Sequence, residues 1–192
     1  MLSVIFRFLF ISVLVTSPLF AAAQRQRTTS WESGTVEKGQ KVGEWEYYSY
    51  SALGERVVTQ RYDHTTNKIL YSRPDDKVYE VQVADSGRWE HIMLTQPPWF
   101  VGGHEALAAY TAKLNYPAAA EARNVQGQVI IGFVIDTLGR VSAHRVIRGI
   151  GSGCNEEALR VSRTVPDQWL PGRLGTRAVS VRYELPFTFR LK

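Results

Sequence analysis

Two short stretches carry residue types whose spacing approaches that of a reactive site. His104 and Glu105 begin the H-E-x-x-H pattern, in which two histidines one helical turn apart bind zinc, but position 108 is Ala. The run G-I-G-S-G at 149–153 has a Gly where a nucleophile elbow needs Ser. A dinucleotide fingerprint would need a third Gly at position 154, which is Cys. The sequence therefore predicts no metal site, no cofactor and no enzymatic activity.

The single cysteine and the remaining histidines offer little further chemistry. Cys154 is the only cysteine, which excludes an intrachain disulfide and a cysteine-built zinc site. A cysteine at a helix start can be a nucleophile with a lowered pKa, but free cysteine is among the most buried residue types. We therefore expect Cys154 to be a buried packing residue. We interpret His64, His91 and His144, which have no partner at ligand spacing, as surface residues.

Composition limits the classes of protein that fit. The chain has 192 residues, 44% of them hydrophobic, with 5 Trp, 9 Tyr and 8 Phe, which indicates a folded protein of one or two modules. The net charge is +5, but basic and acidic residues are interspersed and no basic run could follow a phosphate backbone. Nucleic acid is therefore not expected as a partner.

The first 23 residues have the layout of a secretory signal peptide. An apolar stretch from Phe8 to Ala23 follows Arg7 and ends in Ala21-Ala22-Ala23, an A-x-A pattern that suits signal peptidase. The stretch is shorter than the roughly 20 residues that span a bilayer comfortably. We expect cleavage before Gln24 and a periplasmic mature protein, with an uncleaved inner-membrane anchor as the alternative.

Residues 24–96 are predicted to form a small β-rich hairpin module. Glycines and turn formers interrupt an aromatic run around Trp45, Tyr47 and Tyr48, and strand-like pieces follow at 56–62, 69–71 and 77–83. The stretch G-E-W-E-Y-Y at 43–48 resembles the glycine-aromatic hairpins of MORN-type repeats. Exposed rings here would contact carbohydrate or protein, whereas buried rings would form the core of a small sheet. We favour the second interpretation.

The segment after Gln96-Pro97-Pro98 has a different pattern. The spacing of Leu107, Tyr110 and Leu114 predicts a helix that ends at Tyr116 and Pro117. Strands are expected at 128–136 and 141–150, and a second helix is expected from near Asn155, as its cap, to Pro166. A final strand over 177–191 alternates between apolar and polar residues without interruption.

The order helix-strand-strand-helix-strand predicts an α+β domain over residues 97–192. Its sheet would be three-stranded and antiparallel, with both helices on one face. Strand 129–135 is apolar on both faces and should be central, which leaves the final strand at an edge. Pro186 agrees with an edge position, since proline lacks the N–H that a central ladder requires.

Residues 98–192 resemble the C-terminal domain of TonB proteins, the periplasmic partners that energise outer-membrane transporters. The resemblance rests on short pieces in the same order: G-G-H-E-A-L at 102–107, Y-P at 116–117, V-Q-G-Q-V at 125–129, F-V-I-D-T-L-G-R-V at 133–141, E-E-A-L-R-V at 156–161, W-L-P-G at 169–172 and Y-E-L-P-F-T-F at 183–189.

The resemblance implies a protein-binding role. In that family the final strand takes up a short extended segment of a TonB-dependent outer-membrane transporter, the TonB box, by strand addition. The implied partner-binding residues are those along the start of the final strand: Arg177, Val179, Ser180, Val181, Arg182, Tyr183 and Glu184. The resemblance leaves two questions open: whether inner-membrane energising proteins are further partners, and whether the protein forms a homodimer.

The sequence also departs from an energy transducer of that family. Such a transducer has a membrane anchor and a long Pro-rich linker, whereas the eight prolines here are dispersed. The alternatives to a transducer are a soluble periplasmic adaptor and a relative that shares only the domain. A periplasmic protein that binds peptidoglycan or another glycan through the aromatic N-terminal module is the alternative function.

Overall fold

The computed structural model describes residues 24–83 and 87–191. The predicted signal peptide, residues 1–23, lies outside the described residues. Within the described part of the chain, no helix combines the length and hydropathy that crossing a bilayer requires.

The N-terminal part is a five-stranded antiparallel meander in which every strand pairs with the next one along the chain. Its strands are β1 (Arg25–Thr28), β2 (Glu32–Glu37), β3 (Gln40–Tyr50), β4 (Arg56–Asp63) and β5 (Lys68–Ser72). Short turns connect them; Gly39, between β2 and β3, has a φ of 81°, a conformation that glycine adopts without strain. Local pairing of this kind follows directly from the turn-rich sequence.

The remaining elements form an α+β arrangement, which confirms the predicted fold class at that level. The strands are β6 (Val78–Gln82), β7 (Trp89–Met93), β8 (Trp99–Phe100), β9 (Gly127–Ile135), β10 (Val141–Arg148), β11 (Trp169–Leu170), β12 (Gly172–Leu174), β13 (Arg177–Val179) and β14 (Val181–Phe189). The helices are α1 (Gly103–Thr111), α2 (Ala118–Ala122) and α3 (Cys154–Ser162).

The second large sheet corrects the predicted three-stranded arrangement. Its five strands lie in the order β10-β9-β14-β6-β7. The predicted strands are present as β10, β9 and β14, and the hairpin of β6 and β7 is added beyond β14. This hairpin comes from the segment that the sequence assigned to the N-terminal module, so the sheet combines residues from both sides of Pro97 and Pro98.

The main core lies between this sheet and the helices α1 and α3. Odd-numbered residues of β9 and β14 point into it, and Ile131, Ile135 and Phe187 are fully buried. Ala158 and Val161 of α3 close the core from the helix side. Because side chains alternate between the two faces of these paired strands, one face of the sheet is covered and the opposite face is open.

The helices differ from prediction at three points. Helix α1 ends at Thr111, earlier than the predicted Tyr116, and a short helix α2 that the sequence did not predict begins after Pro117. Helix α3 begins at Cys154, close to the predicted start, but its cap is Gly153 rather than Asn155. The Asn155 side chain instead accepts hydrogen bonds from the main-chain N–H groups of Ile150 and Gly151. It therefore organises the glycine-rich loop before the helix.

The N-terminal sheet packs directly against the C-terminal part. Trp45, Tyr47 and Tyr62 form a buried cluster against which Trp99, Val101 and Leu170 pack. Two-stranded pairing of β8 with β11 places Trp99 opposite Leu170. The aromatic residues that the sequence singled out therefore form core structure, as we favoured.

Candidate functional site

The final strand, to which the sequence assigned partner binding, is divided in two. Residues Arg177–Val179 form β13, which pairs with β12 and places Val179 opposite Gly172. The chain leaves that pairing at Ser180 and continues as β14, which pairs with β9 from Val181 to Phe189. The predicted binding residues therefore belong to two different pairings. Arg177 is exposed on β13, while Val179 and Val181 are buried.

The main-chain groups of β14 alternate between two sides. The N–H of Gln82 donates to the C=O of Ser180 at 2.9 Å, so the main chain of Ser180 faces β6. Because successive residues of a strand point their N–H and C=O groups in opposite directions, Arg182, Glu184, Pro186 and Thr188 face the same way. We call this side, away from β9, the outer side of β14.

The outer side is occupied at its beginning, which corrects the prediction that the strand is an edge throughout. Val181 pairs with Val81, and Arg182 pairs with Glu80. The physical reason is burial: Val81 and Val181 are 1% and 0% exposed, in a small cluster with Leu94 and Val179. Burial of that cluster stabilises the pairing of β6 with β14.

Beyond Arg182 the outer side is open. In the described part of the chain, β6 pairs with β14 at two positions only, and Glu184, Pro186 and Thr188 are exposed. Pro186, the residue that cannot donate, faces this open side, as expected for an edge. The stretch Glu184–Phe189 thus presents an unpaired strand edge beside a paired one.

Arg182 anchors the β6–β7 hairpin through its side chain. Its Nη1 lies 2.9 Å from Glu80 Oε1, and its guanidinium carbon lies 4.1 Å from the centre of the Trp89 ring. An ion pair and a cation–π contact of this kind each favour one specific register. All three side chains lie on the open face of the sheet.

A groove of about 730 Å³ lies on the open face where β6 and β14 diverge. Tyr79, Glu80, Arg145, Tyr183 and Glu184 contribute to its lining. Tyr183 borders the groove at its main chain, because its ring lies on the covered face against Trp169, with 5.0 Å between ring centres; burial raises the pKa of Tyr183. The groove therefore combines the Trp89 ring with charged groups of both signs, next to the open main-chain edge.

The opposite edge of the sheet, β10, is less suited to pairing. Its register with β9 shifts twice, and Ala143 has a φ of 55°, the left-handed conformation of a bulged residue. Exposed Arg145 and Arg148 follow the bulge. Bulges and charges are features that discourage a further strand from adding.

The N-terminal sheet contains a buried polar network that the sequence did not predict. Tyr47 Oη and His64 Nε2 are 2.6 Å apart, and Glu32, which is 4% exposed, forms an ion pair with Lys41. Burial first, and then the nearby Lys41 ammonium, lower the pKa of His64 to about 4. Burial also raises the pKa of Tyr47. The neutral imidazole is therefore hydrogen-bonded to the Tyr47 hydroxyl inside the protein, which makes His64 a structural residue and corrects the surface assignment.

The residues considered for reactive chemistry are not assembled into a site. Cys154 is fully buried, as predicted, and burial raises the pKa of its thiol. His144 is half-buried against Phe133, another correction, while His91 and His104 are exposed. Over residues 24–83 and 87–191, no three side chains of His, Cys, Asp or Glu converge as metal ligands would.

The sequence missed the residues that cover the outer side of β14. Glu80 and Trp89 lie about a hundred residues before Arg182, and no motif connects them. The only available signal was the alternation in V-Y-E-V-Q at 78–82, which indicates a strand but not its neighbour.

Comparison with known proteins confirms the resemblance stated above. The family model described as "Gram-negative bacterial TonB protein C-terminal" matches residues 112–191. The matched stretch contains β9, β10, α3 and β14, whereas the β6–β7 hairpin lies outside it. A comparison with curated proteins finds no match.

Two solution structures of the Helicobacter pylori TonB C-terminal domain are similar to part of the chain. One, of residues 194–285 of that protein, is 24% identical, with 46% of this chain and 91% of that chain covered and a TM-score of 0.35. The other, of residues 179–285, is 18% identical, with 45% and 78% covered and a TM-score of 0.31.

Proposed function

We propose that the protein is a periplasmic binding module of the TonB type. It engages TonB-dependent outer-membrane transporters by strand addition and thereby supports energised transport. The family match over residues 112–191 supports this proposal, since domains of that family interact with outer-membrane transporters. Within the predicted segment Arg177–Glu184, Arg182 and Glu184 lie on the outer side of β14, and Glu184 begins its open part.

The observation that carries the proposal is the open outer side of β14. From Glu184 to Thr188, the N–H groups of Glu184 and Thr188 and the C=O groups of Glu184, Pro186 and Thr188 face away from β9. Three such hydrogen bonds to a partner strand would contribute about 2–4 kcal/mol in total. This supports a modest and reversible affinity, to which side chains lining the groove would add.

For the alternative of glycan binding, the rings that form the aromatic core of the N-terminal sheet are not accessible. Trp45, Tyr47, Tyr48 and Tyr62 are all at most 6% exposed. Rings that are buried within the protein are unavailable for stacking on a sugar. We therefore expect the protein to stay in the supernatant when insoluble peptidoglycan is sedimented.

A pair of variants at Glu184 tests strand addition. Glu184→Pro removes an outward N–H and should weaken binding of a transporter-derived extended peptide at least tenfold, about 1.4 kcal/mol. Glu184→Ala keeps the main chain and should change the affinity less than about threefold, under 1 kcal/mol. Both are compared by calorimetry after their fold has been checked by circular dichroism. Equal affinities of the two variants would refute main-chain pairing at this position.

A further inference from the structure

The β6–β7 hairpin occupies part of the surface that the proposed function assigns to a partner. Strand β6 pairs with the outer side of β14 at Val181 and Arg182, which belong to the predicted binding segment. The chain has thus added one of its own strands to the edge. The inference below rests on the proposed function.

This added strand is held by much less pairing than its neighbour. Strand β14 pairs with β9 along its entire length, from Val181 to Phe189, but with β6 only at the first two residues. The pairing is secured by the four-residue cluster of Val81, Leu94, Val179 and Val181 and by the Arg182–Glu80 ion pair. Both groups of that ion pair are about one-third exposed. For β6 to leave, these contacts must break together with the Gln82–Ser180 hydrogen bond and the Arg182–Trp89 contact, while the longer pairing with β9 stays intact.

The hairpin also stays attached when it leaves. Immediately after β7, the N–H of Thr95 donates to the C=O of Arg173 at 3.0 Å, and the N–H of Arg173 donates to the C=O of Gln96 at 2.8 Å. These bonds hold the base of the hairpin independently of β14. A tethered strand competes with a free partner at a high effective concentration.

The contacts of β6 define what a replacement strand must carry. Val81 points towards the apolar cluster, whereas Glu80, its neighbour, points to the open face and reaches Arg182. If the hairpin left without replacement, the Arg182 guanidinium would lose both Glu80 and the Trp89 ring. A carboxylate opposite Arg182 and an adjacent apolar side chain opposite Val181 would restore these contacts.

We infer that β6 is a built-in mimic of the partner segment. The partner is an extended peptide with an acidic residue opposite Arg182 followed by a compact apolar residue opposite Val181, and it binds by taking the place of β6. Its main chain then continues along the open edge to Thr188. Release of the hairpin therefore adds Ser180 and Arg182 to the outward-facing main chain that is already open from Glu184 to Thr188.

A synthetic peptide with the β6 sequence V-Y-E-V-Q, with blocked ends, probes this pairing directly. The control is V-Y-V-E-Q, in which the carboxylate moves by one residue and so to the other face of the strand. We expect the first peptide to bind at least tenfold more tightly than the control. Equal affinities would overturn the proposed side-chain pattern.

A disulfide that locks the hairpin tests the exchange. Val81 and Val181 are directly opposite each other at a position where neither main chain bonds the other, the geometry in which Cα atoms lie close enough for a disulfide. The variant Val81→Cys with Val181→Cys is made in a Cys154→Ala background. The oxidised form should bind the V-Y-E-V-Q peptide at least tenfold more weakly than the reduced form. Equal binding by both forms would refute displacement.

A charge variant that loosens the hairpin provides the converse test. Glu80→Lys places a like charge beside Arg182 and should increase peptide affinity about threefold or more. The matched control, Glu90→Lys, makes the same charge change on β7, where Glu90 pairs with Arg88 rather than Arg182, and should leave the affinity unchanged. An affinity that falls or stays constant in folded Glu80→Lys contradicts the inference.

Amide hydrogen exchange of the wild-type protein gives a result that needs no partner and no variant. The amides of Gln82 and Arg182 should exchange at least a hundredfold faster than those of Ile131 and Phe133, because hairpin release exposes only the former. Equal protection would overturn the inference. If V-Y-E-V-Q binds the unlocked protein but transporter-derived peptides do not, strand exchange stands and the proposed transporter partnership fails.

Discussion

The two large sheets of this protein are assembled in different ways. In the N-terminal sheet every strand pairs with the next along the chain, and the core is aromatic, with Trp45 and Tyr47 at its centre. In the C-terminal sheet, β14 lies between β9 and β6, which are distant in sequence. Local turns connect the strands of the first sheet, whereas the second sheet depends on pairing between strands that are distant in sequence.

This difference separates a supporting element from an exchangeable one. The N-terminal sheet buries a network of Glu32, Lys41, Tyr47 and His64, whose charged and polar groups satisfy one another. Such a network fixes one arrangement because each partner left alone would be buried without compensation. The β6–β14 pairing instead rests on two paired positions, a four-residue apolar cluster and a partly exposed ion pair, so its loss costs less. We therefore attribute rigidity to the N-terminal sheet and strand exchange to the C-terminal sheet.

The largest expected effect is at the centre of the N-terminal sheet. Trp45 is fully buried against Tyr62 and Val36, so Trp45→Ala should lower the free energy of unfolding by about 3–5 kcal/mol. Urea denaturation followed by circular dichroism measures the change. Tyr71→Ala removes a ring that is 44% exposed on the edge strand β5 and serves as the control, with an expected loss below about 1 kcal/mol. Similar losses in both variants would contradict a buried aromatic core.

A smaller, pH-dependent effect should arise from His64. Its pKa in the folded protein is about 4, below the unfolded value of about 6.5. Between these values the unfolded chain binds more protons, so stability is complete above pH 6.5 and is lost as the pH falls towards 4. Because His64 is only half-buried and solvent screens its charge, we expect a loss of about 1–2 kcal/mol.

The variant His64→Gln isolates this contribution. It should make the free energy of unfolding less dependent on pH between 6.5 and 4, as measured by urea titrations at several pH values. His91→Gln, which replaces an exposed histidine of β7, should keep the wild-type profile. A His64→Gln profile that overlays the wild type would show that the Tyr47–His64 pair does not control acid stability.

The smallest expected effect concerns Cys154. The residue is fully buried at the start of α3, and Cys154→Ala removes a single sulfur atom from the main core. We expect a loss of about 1 kcal/mol or less and no change in peptide affinity. Loss of binding in a folded Cys154→Ala protein would show that the thiol has a role beyond packing.

The local parts of the fold could be predicted from the sequence, whereas the strand neighbours could not. A run that is apolar on both faces indicates β9, apolar alternation indicates β14, and glycines and turn residues indicate the meander. The pattern V-Y-E-V-Q fits either sheet equally well, and Pro97-Pro98 favours a boundary, so the sequence groups the segment of β6 and β7 with the N-terminal module, although β6 pairs with β14. Pro186 correctly indicated an open edge, but only the part of β14 from Glu184 onwards is open.

The buried polar network escaped prediction for a related reason. Tyr47 and His64 are separated by 17 residues and meet through the pairing of β3 with β4 and the turn that follows. The burial that lowers the His64 pKa arises from tertiary packing, which no spacing of residue types encodes. A histidine after a strand therefore gives no sequence signal of its own.

The most direct test of the account is to locate a bound peptide by isotope-edited NMR. In the complex with a transporter-derived extended peptide, the account predicts intermolecular Hα–Hα contacts at Tyr183 and Leu185, whose main-chain groups face β9 and whose Hα atoms face the outer side. The signals of Val141–Arg148 on β10 should stay unchanged. Peptide contacts on β10, or on the N-terminal sheet, with none at Tyr183 or Leu185, would contradict binding at the outer side of β14.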